Sequence, residues 1–221
     1  MPSGPDRREV LAYPLGDALY LNLTSACTLA CTFCPKIRDG NYVVGGHDLK
    51  LRRAPSADAV WRAACAAGLK GRAEVVFTGF GEPTRRFRVL LDLVERLKRA
   101  GVSRVRIDTD GLASLREGRD VVPELKQARL DALSVSLNAP DAATYRALCP
   151  SRFGERAYPA CCDVIRRSAN AGLEVYASCV ALPGLSERAC RERAISLGAR
   201  FRWRPYDRLG RVEGTLPPLA E

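Results

Sequence analysis

The sequence predicts a single-domain α/β fold, a partial (β/α)6 TIM-like barrel with parallel strands around an interior and helices outside. Three observations carry that expectation. Short β-like runs alternate with amphipathic helical stretches along the chain, and six such units imply a parallel sheet. Each strand is apolar on one face and polar on the other, whereas a sheet covered by helices on both sides is apolar on both. The 221 residues, at 47% hydrophobic content, suffice for one domain with a sizeable core.

The first run, residues 19–24, sets Leu19, Leu21 and Leu23 against Tyr20, Asn22 and Thr24. Ser56 caps a helix through Cys65 that Gly68 ends. Residues 74–78 form the second strand. The helix over 85–100 follows, with Phe87, Leu90, Leu91, Val94 and Leu97 on one face and Gly101 as its stop. In residues 104–109, Val105 and Ile107 alternate with Arg104, Arg106 and Asp108. A helix over 123–128 leads to the strand 133–138, where Leu133, Val135 and Leu137 oppose Ser134, Ser136 and Asn138. A helix over 159–171 precedes the strand 174–182. Ser186 opens a helix carrying Cys190, Ala194 and Leu197 on one stripe, ended near Gly198. The last strand, 201–206, sets Phe201 and Trp203 against Arg202 and Arg204. Successive strand side chains point to opposite faces, so the polar sets share one side. A curved sheet gives them a lumen, and six strands suit an open partial barrel better than a filled eight-stranded one. The expected divisions are an N-terminal extension over 1–17, a core domain over 18–206 and a C-terminal tail over 207–221.

No apolar run approaches the ~20 residues that span a bilayer. The opening MPSGPDRREV has no apolar stretch behind its charges, so neither a membrane span nor a secretory signal is expected, and the cytoplasm is the expected location. The formal charge is +10, carried by 30 Arg and five Lys. Such an excess fits a nucleic-acid partner or an anionic substrate. Spread along the chain without a dense block, it also fits a solvated surface. The nine cysteines are many and odd in number. Without a secretory signal, reduced thiols and metal ligation fit them better than disulfides do.

Three of the nine crowd into Thr24-Ser25-Ala26-Cys27-Thr28-Leu29-Ala30-Cys31-Thr32-Phe33-Cys34-Pro35, directly after the first strand. The spacing Cys-x3-Cys-x2-Cys lets three thiolates converge on one cluster and leaves one iron without a protein ligand. Zinc wants four protein ligands, or three and a water, and the lone His47 could supply a fourth. No second Cys/His knuckle accompanies the loop. Three simply buried thiols are the remaining alternative, at odds with such tight spacing in a loop after a strand.

The loop resembles the defining Cys-x3-Cys-x-aromatic-Cys motif of the radical S-adenosylmethionine (SAM) superfamily, with Phe33 at the aromatic position. The resemblance implies a 4Fe–4S cluster on Cys27, Cys31 and Cys34, and SAM chelating the fourth iron through its amino and carboxylate groups. It also implies reductive cleavage of SAM to a 5′-deoxyadenosyl radical that abstracts hydrogen from substrate. The partial (β/α)6 barrel is that family's fold, in agreement with the strand alternation. Gly79-Phe80-Gly81-Glu82-Pro83 resembles the GGEP segment at the SAM amino group, where glycines admit close approach and Glu82 accepts from an ammonium. Asp108-Thr109-Asp110-Gly111 resembles the strand-end Thr-Asn-Gly, with Asp108 and Asp110 as the expected contacts and Asp110 replacing the more usual Asn. Ser134, Ser136 and Asn138 occupy the strand region that addresses the SAM ribose and carboxylate, and residues 180–184 resemble the segment near the adenine.

A closer resemblance, from about Leu19 to Tyr206, is to the small TatD-linked radical SAM proteins. It is carried by YLNLTSACTLACTFC, GGHDLKL, FTGFGEP, DTDGLA, GRDVVPEL, VSLNAPDAATY, LCPSRFGERAY and FRWRPYD. It implies a stand-alone SAM-cleaving enzyme of unidentified substrate, a reducing partner such as a flavodoxin or ferredoxin, and an association with TatD-type nucleases.

Arg202 and Arg204 point into the lumen if Phe201 and Trp203 face the helices. There a guanidinium grips a carboxylate or phosphate, of SAM or of an anionic substrate, or else pairs with Asp108 or Glu174. Cys149 is a candidate thiol hydrogen donor to a substrate radical. His47, in Gly45-Gly46-His47-Asp48, is a candidate acid–base group or part of a surface lid. Cys149, Cys161, Cys162 and Cys179 invite a second cluster, but neighbours on a helix point about 100° apart, and buried small side chains account for them better. The rival functions are a non-catalytic Fe–S or zinc module, and an enzyme of the same chemistry acting on nucleic acid.

Overall fold

Within residues 9–206, which the computed structural model describes, alternation of strand and helix runs almost throughout. The elements are β1 (Ala12–Leu15), β2 (Ala18–Leu21), α1 (Pro35–Asp39), β3 (Val43–Val44), β4 (His47–Asp48), α2 (Ala57–Ala66), β5 (Glu74–Phe77), α3 (Phe87–Arg99), β6 (Val105–Thr109), α4 (Ala113–Glu117), α5 (Val122–Gln127), β7 (Ala132–Ser136), α6 (Ala142–Leu148), α7 (Ala157–Asn170), β8 (Glu174–Val180), α8 (Glu187–Ser196) and β9 (Arg200–Arg204). The expected tail over 207–221 lies outside the described residues. No described helix is long and apolar enough to cross a membrane.

Seven strands form one sheet in the order β1-β2-β5-β6-β7-β8-β9. Six are parallel, and β1 pairs antiparallel with β2. An all-parallel sheet was expected; part of the expected extension instead adds an antiparallel edge. Gly16 at φ +57° turns the two-residue link between β1 and β2. The sheet is open, with β1 and β9 as its edges.

Local chemistry sets the element ends. Ser56 Oγ accepts from Ala59 N–H (3.2 Å) and Ser186 Oγ from Ala189 N–H (3.2 Å), so α2 and α8 start where the caps predict. The helix expected from residue 85 is preceded by a 3-10 turn over Pro83–Arg86 and begins at Phe87. Its buried stripe is Phe87, Leu90, Leu93, Val94 and Leu97; Leu93 takes the place expected of Leu91, because i, i+3, i+4 and i+7 from Leu90 share one face. The run 19–24 leaves the sheet after Leu21, since Asn22 ties itself elsewhere: its N–H donates to Leu11 O and its Nδ2 to Val10 O and Leu49 O. β7 stops at Ser136, two residues before Asn138 enters the left-handed region at φ +55°.

The alternation of the strands settles which side is packed. Leu19, Leu21, Val75, Phe77, Val105, Ile107, Leu133 and Val135 join α2, α3, α5, α7 and α8 in one core. The other face encloses the lumen, where a small cluster of Tyr13, Leu49 and Phe80 sits beside charged groups. At the N-terminal ends of the strands the lumen is sealed by ion pairs. Glu74 pairs with Arg104 (2.8 Å) and Arg106 (3.1 Å), and Glu174 with Arg104 (2.6 Å) and Arg200 (2.5 Å).

Candidate active site

The cysteine loop leaves β2 at its C-terminal end and is clamped from two sides. On one side Glu82 N–H donates to Ala26 O (2.9 Å). Gly81 lies so close that a Cβ there would stand 2.0 Å from Thr24 O and 2.8 Å from Ala26 O. On the other side Ala30 N–H donates to Pro150 O (2.8 Å) and Thr32 N–H to Leu148 O (2.9 Å). The loop is therefore fixed by main-chain bonds on both flanks, and it presents Cys27, Cys31 and Cys34 half-buried. Burial pushes the Cys27 thiol up to about 12. A hydrogen bond with the Cys149 thiol, and then burial, holds Cys31 well above the ordinary thiol value.

Among the described residues no three His, Cys, Asp or Glu side chains converge at the distance of a single metal ion. A 4Fe–4S cluster asks for something else, one thiolate on each of three irons. Soft thiol donors on one clamped loop suit that chemistry. Thr28 Oγ1 on the loop is buried beside the Asp110 carboxyl, toward which it is directed. On donor type and surroundings, the residues fit the cluster.

The loop after β5 is held by Glu82, which is 3% exposed. Its Oε1 accepts from Thr84 N–H (2.9 Å), Thr84 Oγ1–H (2.6 Å) and Thr109 Oγ1–H (2.8 Å), and its Oε2 from Asp110 N–H (2.7 Å). Glu82 thus accepts four hydrogen bonds from the protein itself, three on Oε1 and one on Oε2. Direct contact with a ligand ammonium was expected; here Glu82 instead locks the loop after β5 to the loop after β6. Gly81 likewise admits the cysteine loop, not a ligand. Gly79, at φ +153°, lines both cavities, and Asn22 Oδ1 stands 2.8 Å from where its Cβ would be. Asp110 Oδ1 accepts from Leu112 N–H (2.9 Å), and Oδ2 is buried without a hydrogen-bond partner. Burial, and then the Glu82 charge, pushes the Asp110 carboxyl well above the usual carboxylate range.

Two cavities at the C-terminal ends of the strands share Gly79, Phe80, Arg202 and Arg204. The mouth cavity, about 330 Å³, adds Cys31, Phe33, Cys34 and Trp203. The lumen cavity, about 360 Å³, adds Tyr13, Tyr20, Arg106, Asp108 and Ser134. Asp108 pairs with Arg106, and Glu174 with Arg104 and Arg200, so neither is bonded to Arg202.

The other expected residues fall in different places. Ser136 is half-buried and lines neither cavity. Asn138 is buried and donates through Nδ2 to Cys149 Sγ (3.5 Å). Cys149 is 1% exposed and sits behind Cys31, so the expected thiol donor does not face the lumen. The His47 ring packs 5.2 Å from that of Tyr13. Cys161, Cys162 and Cys179 are core side chains, with Cys162 accepting from Arg193 (3.5 Å). Tyr13 was missed because β1 was read as extension, although two short β-like runs around Gly16-Asp17 are a hairpin signal. Thr84 and Thr109 were missed because only the fold brings them to Glu82.

An open parallel barrel whose first parallel strand runs into a clamped three-cysteine loop defines a class of cluster-binding α/β proteins. The family model of the radical SAM superfamily matches residues 21–194, and the chain belongs to that superfamily, whose members use a 4Fe–4S cluster and SAM. A Saccharolobus solfataricus protein named "Probable GTP 3′,8-cyclase" is 33% identical over 135 residues, 60% of this chain and 38% of that protein. Streptococcus suis SuiB bound to precursor peptide SuiA matches with TM-score 0.64 at 22% identity, covering 90% of this chain and 40% of that one. SuiB bound to SAM matches with TM-score 0.60 at 21% identity, covering 87% and 40%. The SuiB structures share the fold. The chain spans less than half the length of each of these relatives.

Proposed function

We propose that this chain binds a 4Fe–4S cluster through Cys27, Cys31 and Cys34, cleaves SAM reductively in the mouth cavity, and abstracts hydrogen from a substrate held in the lumen. The observation that supports it most is the cysteine trio on a loop fastened from both flanks, with Cys31 and Cys34 opening onto a cavity of about 330 Å³. When bound, the cluster supplies the electron that splits SAM and so generates the 5′-deoxyadenosyl radical. The chain's own residues bind, orient and exclude water. Phe33 and Phe80 give the mouth an apolar wall, and Gly79 brings bare main chain to it. Arg204 faces both cavities and is the residue for an anionic group of SAM. Asp108 and Ser134 belong to the substrate side. Gly81, Glu82, Asp110 and Asn138 hold the loops in register.

The closer kinship with TatD-linked proteins, a flavodoxin or ferredoxin as reductant, and a cytoplasmic setting belong to the same reading. The kinship and the reductant are supported by the motif stretches alone. A lumen of about 360 Å³ favours a small molecule over a nucleic-acid strand as substrate.

Anaerobic reconstitution with iron and sulfide, then dithionite and SAM, is expected to release 5′-deoxyadenosine, measured chromatographically. Cys31→Ala is expected to abolish cluster uptake. A fully loaded protein that releases none, beside an active superfamily member under the same conditions, would falsify the catalytic reading. A colourless protein holding zinc would favour the binding-module rival.

A further inference from the structure

Among the described residues, the inward face of the strands carries both acids and arginines, and one arginine stands apart from the ion pairs. One parity of the parallel strands points inward and sets Glu74, Asp108 and Glu174 beside Arg104, Arg106, Arg200, Arg202 and Arg204. Glu74 and Glu174 are engaged by Arg104, Arg106 and Arg200 toward the N-terminal end, and Asp108, which lines the lumen cavity, is paired with Arg106. Arg202 is different. It lines both cavities and makes no ion pair with any described residue.

The hydroxyls nearby are equally uncommitted. Tyr13, Tyr20 and Ser134 line the lumen cavity, and their hydroxyls make no hydrogen bond to described residues. Tyr20 and Arg202 line the same cavity, together with Arg106 and Asp108. Burial raises both phenols above their ordinary value, so each remains an O–H donor at neutral pH. A guanidinium with several O–H donors around one small volume, where the lining carboxylate of Asp108 is already paired with Arg106, is the environment that stabilises an anionic oxygen group. The volume, about 360 Å³, lies at the small end of ligand cavities, which run from ~300 to ~1,000 Å³. Tyr13, Tyr20 and Arg202 all lie outside residues 21–194 that match the superfamily.

We propose that the lumen selects a small organic anion, a carboxylate or a phosphate ester, with Arg202 gripping the charged group and Tyr20 donating to it. As a statement about substrate, this rests on the function proposed above. As a statement about binding, it stands on the lumen alone.

The test is calorimetric titration of the cluster-loaded full chain, anaerobically, with ribose 5-phosphate and succinate and their neutral counterparts ribose and succinamide. At least one charged probe is expected to bind with 1:1 stoichiometry, its neutral counterpart about tenfold or more weaker. Arg202→Met is expected to weaken the charged probe about tenfold or more and Tyr20→Phe severalfold, with SAM affinity unchanged in Tyr20→Phe, whose side chain lies outside the mouth cavity. Arg88→Met, on the exposed face of α3, is the control for general attraction to a basic protein and is expected to change neither. Which probe binds separates phosphate from carboxylate recognition. Equal binding of charged and neutral probes overturns the inference. So does an Arg202→Met variant that keeps its anion affinity, or one that loses SAM affinity instead. Release of 5′-deoxyadenosine, followed on the same material, separates the two claims. SAM cleavage without anion binding sinks this inference alone; anion binding without SAM cleavage sinks the catalytic reading alone.

Discussion

Replacing Glu82 by glutamine changes one atom and tests what the residue does. The carboxylate accepts four hydrogen bonds, two of them from the main-chain N–H groups of Thr84 and Asp110. An amide keeps one oxygen and puts an NH2 in place of the other. If the NH2 takes the Oε2 place it confronts Asp110 N–H. If it takes the Oε1 place it confronts Thr84 N–H and two hydroxyls, which can turn, unlike the main chain. In both orientations a buried N–H loses its acceptor, which costs about 1–3 kcal/mol. One effect opposes this. Glu82 is the second cause, after burial, of the raised Asp110 carboxyl, so its neutralisation relieves some repulsion. Because burial is the larger cause, the relief is partial and the lost acceptor wins. A net loss of about 1–2 kcal/mol corresponds to a Tm lower by about 2–8 °C for a chain of this size. Thermal unfolding followed by circular dichroism on the metal-free protein measures it. An unchanged or higher Tm refutes the loop-bracing reading, and a normal Tm with SAM affinity alone reduced returns Glu82 to direct ligand contact.

Gly81→Ala sets a methyl 2.0 Å from a backbone oxygen that cannot swing away. Forced repacking of about 1–3 kcal/mol is expected to lower Tm and, by shifting the cysteine loop, to reduce iron uptake measured by absorbance; an unaltered Tm with full loading contradicts it. Arg106→Met leaves Glu74 and Asp108 facing each other without the guanidinium between them. Breaking such a buried network costs about 3–5 kcal/mol, read as a lower denaturation midpoint, and a change below 1 kcal/mol (about a fifth to a third of that) refutes it. Asp110→Asn is expected to stabilise the metal-free protein, and more at pH 8 than at pH 5. A carboxyl whose folded-state pKa lies above its unfolded value burdens the folded state little at low pH, then increasingly as pH rises through the folded value. An equal shift at both pH values counts against this.

Strand alternation and helix caps were legible because they depend on neighbours in sequence. Ser56 and Ser186 cap where they should, and the polar parity of Arg106, Asp108, Ser134 and Arg202 does face one lumen. Tyr13 was overlooked because β1 is only four residues long, so the hairpin signal at Gly16-Asp17 is weak, and the strand is held by pairing with β2 and by the bonds of Asn22 to Val10 and Leu11 just before it. The part played by Glu82 was hidden for a related reason. Its donors Thr109 and Asp110 lie 27 and 28 residues away, and motif position alone does not reveal how many lone pairs the protein itself consumes. Cys149 was drawn toward the lumen by its place in a loop after a strand, yet the backbone bonds of Leu148 and Pro150 to the cysteine loop turn it behind Cys31.

The open sheet separates two demands that a closed barrel would couple. The cysteine loop, the loop after β5 and the loop after β6 brace one another through Ala26, Glu82 and Asp110, so a change in one disturbs all three. The edge strands are not braced in this way. β1 pairs only with β2, and β9 only with β8, while Tyr13 and Arg202 project from those edges into the lumen. Exchanging Arg202 leaves the ladder to β8 intact, since the pairing of β9 uses main-chain groups. The edges are therefore where ligand charge preference can change while the cluster cradle stays as it is. That predicts that edge substitutions alter which anion binds, whereas substitutions at Gly81 or Glu82 alter whether the site assembles at all.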